Sequence, residues 1–500
     1  MNPIHAVPNS PFVDPFSKPE QLSRLLAQGG QGYTPTDGFH IYTELRTTQR
    51  VQAAEDERRA ASYVKALTDY VNFGATAASV FKVTLLEAQG EVLHFFKEGP
   101  RNRQSLIEAI QFVHVFTKEA YAELRNDLGN DWQGLASSLD GGNTVVLRHA
   151  NYSCSSAISL APSANRPAKR LLYGGTKAGH LDIHKDSAAL LSLRPSSGDW
   201  HELNLRDRES IPYGDEVRDA GFGQQLNEAI RNYRREVRAA ASERISISEA
   251  RNFSTGTPII SAPQRVIASS VRCDLDGFSR MVEIAFSPNT QSITLPVIVQ
   301  MFLEILRFGD HMLRTTQGAV QLPWAGDCAT TIIPDLDSSG AGNRPRWLEF
   351  AIRWQQEFDK GAGGLSERTR SILVRNSARW AIGGCHGDKG LNILAPVVAQ
   401  SRTFLIGVGW PVFMSLNAQN LGAGDDVVTR KEDYDDLDAA AQSCFKRVAH
   451  DQDYWKSNKL TQDRLVKGAI EIGKASRQSP EDYLAKISTI QIPSPRPHCE

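Results

Sequence analysis

The chain has 500 residues, of which 41% are apolar, so it is long enough for two to four domains and carries enough hydrophobic material for sizeable cores. Lys plus Arg (56) nearly balance Asp plus Glu (57), which excludes a surface built to coat nucleic acid but leaves room for a local basic pocket. Six cysteines at 154, 273, 328, 385, 444 and 499 contain no Cys-x-x-Cys pair, so neither a disulfide framework nor a zinc site is expected.

The N-terminus lacks a basic segment followed by an apolar one, and no apolar run approaches the length of about 20 that spans a bilayer. The expectation is a cytoplasmic protein with no membrane and no nucleic-acid partner.

In chain order, residues 1–46 are rich in Pro, Gly, Ser and Gln and read as a poorly ordered lead-in. Residues 47–81 carry a helical pattern through Tyr63, Leu67, Tyr70 and Val71. Residues 83–96 read as a β-hairpin about Gly90, followed by a helix over 105–124, two strands around Asp140–Leu147 and another at 157–160. Residues 222–244, with Arg231, Arg234, Arg235 and Arg238, read as a polar connector helix.

The second part repeats the order. A strand through 266–276 precedes a helix over 295–314, a hairpin about Gly326 and a helix over 345–358. Strands at 381–387 and 404–409 lead into a helix over 411–421. The repetition predicts an internal duplication in an α/β (α+β) fold. The expected division is lead-in 1–46, first domain 47–215, connector 216–262, second domain 263–445 and helical tail 446–500.

Two acidic turns carry the chemistry. Val271-Arg272-Cys273-Asp274-Leu275-Asp276-Gly277-Phe278-Ser279 ends a strand, and Ala325-Gly326-Asp327-Cys328 forms a hairpin tip about fifty residues later. Aspartates at the ends of adjacent strands are suited to hold two divalent cations against a triphosphate, where the metal pair stabilises the attacking and leaving oxygens at phosphorus. Gly361-Ala362-Gly363-Gly364 lacks the Lys-Ser/Thr of a phosphate-binding Walker loop and reads as a flexible loop.

These residues resemble the class III nucleotide cyclases over roughly 265–440. Asp274 to Ser279 is similar to that family's Asp-Ile-x-Gly-Phe-Thr turn, and Gly326-Asp327 to its Gly-Asp hairpin. Residues 409–415 follow the outline of its Gly-x-x-Val-Asn-x-Ala helix start, but Phe413 and Asn417 stand where the family keeps Asn and Arg. The first half supplies the missing pair: residues 159–169 fit the same helix start and offer Asn165 and Lys169, four apart on one helix face. That half has Glu91 after Gly90 and lacks the metal turn.

The resemblance therefore implies two ferredoxin-like cyclase domains in tandem, forming an intramolecular pseudo-heterodimer with one composite site. It implies that Asp274, Asp327 and the Leu275 carbonyl bind two Mn²⁺ or Mg²⁺ ions, Asn165 orients the ribose and Lys169 offsets transition-state charge. Further oligomerisation stays open.

In the family, the half that gives Asn and Arg also reads the base. The corresponding positions are Glu87 and Ile158; an ionised glutamate cannot donate to adenine N1, whereas it accepts from guanine, uracil or cytosine N–H groups. The soluble tandem form is most similar to the pyrimidine cyclases of Pycsar antiphage systems. That implies UTP, or CTP, as substrate and a cyclic-nucleotide-responsive effector encoded separately. Guanylate cyclase chemistry and a catalytically dead nucleotide-binding module stay open as alternatives.

Overall fold

A computed structural model describes residues 21–27, 32–47, 57–151, 153–206, 228, 231–232, 235, 247–249, 262–287, 291–334, 346–387, 392–400, 402–437, 439–449 and 451–457. The connector over 216–262 lies for the most part outside the described residues, as do residues 1–20 and 458–500.

The first half runs α1 (Gln21–Ala27), β1 (Gly32–Thr47), α2 (Glu57–Val80), β2 (Thr84–Gln89), β3 (Val92–Glu98) and α3 (Arg103–Leu128). It continues with β4 (Trp132–Ala150), β5 (Ser155–Leu160), α4 (Pro162–Leu172), β6 (His180–His184) and β7 (Trp200–Asn204). Its sheet has the order β2-β3-β1-β4-β6-β7, with β5 also on β4. Strand alternation sends Phe39, Ile41, Leu93 and Phe95 to the side covered by α2 and α3, where Tyr63, Tyr70, Phe112 and Phe116 complete the core.

The second half runs β8 (Ser248–Glu249), β9 (Gln264–Val266), β10 (Ala268–Asp276), α5 (Phe278–Ala285), α6 (Gln291–Arg314), β11 (Val320–Gln321), β12 (Ala329–Pro334), α7 (Arg346–Lys360) and α8 (Glu367–Arg375). Then come β13 (Arg379–His386), β14 (Asn392–Ala399), β15 (Arg402–Val408), α9 (Trp410–Leu421), β16 (Val427–Arg430), β17 (Lys446–Val448) and β18 (Asp451–Ser457). Its main sheet has the order β11-β12-β10-β13-β16-β18-β17. In both halves the first long strand lies between a hairpin and a strand that pairs in parallel with a later one (β4 with β6, β13 with β16).

The halves exchange apolar arms. Val145, Leu147, Ile158 and Leu160 of β4 and β5 enter the second half's core with Phe302, Trp324 and Trp347. In return, Ile393, Val397, Phe404, Ile406 and Val408 of β14 and β15 enter the first half's core. Full burial of each such side chain contributes about 1.5–3 kcal/mol, so neither core is complete without the other half. Polar contacts fix the register of the exchange: Gln321 N donates to Ser153 Oγ (3.0 Å), Trp324 N to Ser156 Oγ (3.0 Å) and Leu85 N to Gln400 Oε1 (3.2 Å).

Three local expectations change. Gly32–Thr47, read as lead-in, is an inner strand. Pro35 lies outside the stretch that pairs with β3, so its missing N–H costs no bond there. Gly38 is needed because a Cβ would come within 2.2 Å of Lys97 O. The two strands around Asp140 are one continuous strand, β4; Gly141 and Gly142 let it pass Phe39 and Ser163, whose atoms would lie 2.6 and 2.7 Å from added Cβ atoms. Residues 446–457, read as the start of a helical tail, are strands, with Tyr454 buried and Trp455 stacked on Tyr434 at 3.8 Å. Adjacent Tyr454 and Trp455 serve opposite faces of a strand, and aromatic residues favour the pleated conformation.

Candidate active site

Alternation along β10 decides what reaches the domain interface. Val271, Cys273 and Leu275 point into the helix-covered core, and Arg272 and Asp274 point the other way. Gly277, at φ +86, turns the chain sharply from the strand into α5 in a conformation that a side chain would strain. The Leu275 side chain is therefore spent on the core, and only its carbonyl is left for a ligand.

Asp327 stands at a two-residue hairpin tip closed by Ala325 N to Cys328 O (2.9 Å) and Cys328 N to Ala325 O (3.0 Å). Gly326 takes φ +59 at the first central position, where a tight hairpin calls for glycine. The tip returns Asp327 towards Asp274. Both carboxylates are packed round by protein yet still touched by solvent, as at the bottom of a cleft.

Burial raises the Asp274 carboxyl above the usual range; Arg272 opposes the shift, Asp276 adds to it, and the Cys328 thiol donates to Asp274. Burial also holds the Asp327 carboxyl well above its ordinary value, followed by the negative charge of Asp274. Lys169 pulls both back down. The first half's lysine thus stands within electrostatic reach of both second-half aspartates.

Lys169 and Asn165 lie one turn apart on α4, which begins at Pro162; Lys169 is exposed and Asn165 half-buried. The rotation of α4 is set by Arg166 and Arg170 on the neighbouring face. Arg166 Nη1 donates to Asp140 Oδ2 (2.9 Å) and Arg170 Nε to Asp182 Oδ2 (2.6 Å), and both aspartates are buried. Ser187 and Thr176 hydroxyls complete these carboxylates at 2.8 and 2.9 Å, and Ser138 Oγ donates to Pro167 O at 2.7 Å. With Arg166 and Arg170 tied to the sheet, Lys169 is left on the side whose charge reaches Asp274 and Asp327, and Asn165 lies one turn before it.

Glu87 is buried on β2. Its carboxylate accepts from Gln89, whose Nε2 also donates to Pro323 O at 3.1 Å. Ile158, the other expected base position, is buried in the shared core.

Sequence reading missed Arg272 and Arg402, which act on Glu87 from the opposite half. Arg272 was findable, because a residue two before Asp274 shares its face of the strand. His386 and Arg379 serve locally: His386 N donates to Asp433 (2.6 Å) and Arg379 pairs with Asp425 (3.2 Å). Asp335 and Asp337 lie outside the described residues.

The related position in the first half is occupied differently. The β1–β3 register puts Glu44 opposite Val92, so Glu44 and Glu91 correspond to Asp274 and Asp327. Glu44 pairs with Arg46 at 2.8 Å, and buried Glu91 accepts from the Tyr63 hydroxyl. Its facing helix, α9, offers Phe413 within an apolar cluster.

Among the described residues, no three His, Cys, Asp or Glu side chains gather into a self-sufficient metal cluster. Two mutually repelling carboxylates are hard oxygen donors suited to Mg²⁺ or Mn²⁺, and Mg²⁺ typically uses one or two carboxylates with substrate phosphates completing its shell. The donor set fits a metal that binds together with a nucleotide. No described helix is long and apolar enough to cross a membrane.

Neither a family model nor a curated protein matches the sequence. Among solved structures, a class III adenylyl cyclase-like ATP-binding protein from Pseudomonas aeruginosa aligns with a TM-score of 0.67 at 14% identity, over 87% of this chain and 91% of that one. Two shorter alignments add nothing to the fold assignment. They are the adenylyl cyclase CyaB from P. aeruginosa (13% identity, TM-score 0.27, 32% of this chain and 82% of that one) and the guanylyl cyclase Cya2 (13%, 0.28, 35% and 94%). The long alignment and the two like-ordered sheets give this chain the class III cyclase-like fold.

Proposed function

We propose that this chain is a nucleotide cyclase with one composite active site, converting UTP to 3′,5′-cyclic UMP and pyrophosphate. The observation that carries the reading is the common field of Asp274, Asp327 and Lys169, drawn from opposite halves. A cation facing two carboxylates across a cleft suits a substrate that is itself a polyanion carrying divalent metal.

Ring closure forms the bond from the ribose 3′-oxygen to the α-phosphorus and breaks the bond to the bridging oxygen, releasing pyrophosphate. Asp274, Asp327 and the Leu275 carbonyl would hold two Mg²⁺ or Mn²⁺ ions, which supply activation of the 3′-hydroxyl and charge neutralisation on the leaving group. Asn165 orients the ribose for in-line attack, and Lys169 offsets the charge that grows on the departing phosphates. Glu87, in its ionised form, accepts from a base with a ring N–H such as uracil. The resemblance to Pycsar cyclases extends the reading to an antiphage signal read by a separately encoded effector, with CTP and GTP as the alternative substrates.

The similarity to a cyclase-like ATP-binding protein favours a second reading, a nucleotide-binding module without turnover. Incubating the protein separately with ATP, GTP, CTP and UTP plus Mn²⁺, and resolving the products chromatographically, separates the two. Cyclic UMP is expected from UTP. Tight nucleotide binding with no cyclic product from any of the four would favour the binding module.

A further inference from the structure

β10 pairs Cys273 with Ala329, so the hairpin tip that carries Asp327 lies alongside Asp274 and Leu275. Its own sheet holds the incoming strand of that hairpin lightly. The strand, β11, is two residues long and lies at the sheet edge. Gln321 pairs with Thr331 and Ala325 with Cys328, four steps on the incoming strand against three on the outgoing one. Leu322 N still donates to Thr330 O (2.9 Å), so the extra residue falls between Leu322 and Ala325. Such a β-bulge bends and re-aims the strand that carries it and leaves backbone groups outside the ladder. Pro323 suits the place, having no N–H to pair.

The first half bonds the groups that the bulge sets free. Trp324 N donates to Ser156 Oγ (3.0 Å), and Pro323 O accepts from Gln89 Nε2 (3.1 Å). Just before the bulge, Gln321 N donates to Ser153 Oγ (3.0 Å). Gln321 Oε1 accepts from Asn151 Nδ2 (2.7 Å) and from the Trp324 indole N–H (3.2 Å). The contact between Ser156 and Trp324 is buried, so removing the hydroxyl leaves the amide without an acceptor.

The second half treats the first half's hairpin alike. Leu85 pairs with Phe95 and Glu87 with His94, two steps against one. Leu85 N donates to Gln400 Oε1 (3.2 Å), and Arg402 donates to the Leu85 and Leu86 carbonyls. Each half thus has a bulged hairpin strand gripped by the arm of the other, and the hairpin gripped by Ser156 is the one that ends beside Asp274.

We infer that Ser156 is a positioning residue for Asp327: the first half's arm holds the bulge, aims the hairpin tip and so sets Asp327 against Asp274 from across the interface. The inference deepens the cyclase reading and rests on the two aspartates holding metal. Gln400 makes the matching contact on the hairpin that lacks this carboxylate pair, and serves as its control.

The test is the Kd of the Mn²⁺–tripolyphosphate complex on the full chain, read from the electron paramagnetic resonance of bound Mn²⁺, with Tm followed by circular dichroism. Inorganic tripolyphosphate stands in for the nucleotide's phosphates and carries no base. Asp327→Asn should abolish this binding in the folded chain. Ser156→Ala should raise Kd about tenfold, whereas Gln400→Ala should lower Tm to a similar extent and leave Kd unchanged. Ser153→Ala, which frees Gln321 N beside the bulge, carries the same expectation and the test if Ser156→Ala does not fold. A wild-type Kd in the folded serine variants, with Asp327→Asn still unable to bind, would overturn the inference and leave Asp327 as a metal ligand. An equal rise in Gln400→Ala would also overturn it, because general loosening of the interface would then account for the loss. Absence of Asp327-dependent binding in the folded wild type would refute the metal reading and the inference with it.

Discussion

Removing Asp182 tests how α4 is aimed. The carboxylate is 1% exposed and takes Arg170 Nε at 2.6 Å and Thr176 Oγ1 at 2.9 Å. Asp182→Ala strands both donors. Deleting one member of a buried pair costs about 3–5 kcal/mol. The Arg170 side chain is 19% exposed and regains some water, and Asp182 Oδ1 already lacks a partner, so the loss belongs at the lower end, about 3 kcal/mol. Because the two cores interlock, the chain melts as one unit, and at about 2.1 cal/mol/K of unfolding entropy per residue that loss corresponds to a fall in Tm of roughly 3–4 °C. The assay is thermal unfolding followed by circular dichroism on the wild type, Asp182→Ala, Arg170→Met and the double variant. The double variant should recover much of the loss, because an apolar replacement leaves no stranded charge. A fall below about 2 °C for Asp182→Ala, or strict additivity in the double variant, would refute the anchoring.

Further outcomes follow from the same geometry. Glu87 is raised from 4.5 to about 8 by burial, so the folded state holds its proton more firmly than the unfolded chain does. Its contribution to stability is complete below about 4.5 and is lost as pH rises through about 8; Glu87→Gln should therefore melt several degrees above the wild type at pH 8.5 and show a flatter Tm-against-pH curve, and identical curves would contradict its burial as an ionisable group. Mn²⁺ with a non-hydrolysable nucleotide should raise Tm, by about 2.7 kcal/mol of stabilisation at a hundredfold excess over Kd, and the increment should vanish in Asp327→Asn. An increment that survives would place the ion elsewhere. Trp324→Ala should cost about 3–5 kcal/mol in chemical denaturation, because the fully buried Trp324 ring packs in one core with Leu147 and Ile158 of the other half and its indole N–H donates to Gln321; a loss under 1 kcal/mol would mean that the arm exchange contributes little.

The two acidic turns were legible because backbone chemistry marks them. Gly277 and Gly326 stand where a positive φ is required, and each sits beside an aspartate at the end of a strand. The four-residue spacing of Asn165 and Lys169 placed them one turn apart on a helix, as α4 has them. The strand β1 was hidden because Pro35 and Gly38 look like breakers; Pro35 pairs with β4 alone, outside the stretch facing β3, and Gly38 admits the close approach of Lys97 O. The aiming of α4 by Asp140 and Asp182 depends on which strands lie beneath it, which local pattern does not specify. The arginines around Glu87 come from the other half of the chain, and only the packed interface brings them there.

The central claim is that both halves build one cleft, and Lys169→Ala tests it most directly. Cyclic-nucleotide formation with Mn²⁺ should be measured for the wild type, Asp274→Ala and Lys169→Ala, with folding checked by circular dichroism. The composite site predicts that Asp274→Ala abolishes turnover and Lys169→Ala lowers it by about 10²–10³ without unfolding the chain. Full turnover in folded Lys169→Ala, with Asp274→Ala inactive, would contradict the claim and confine the chemistry to the second half.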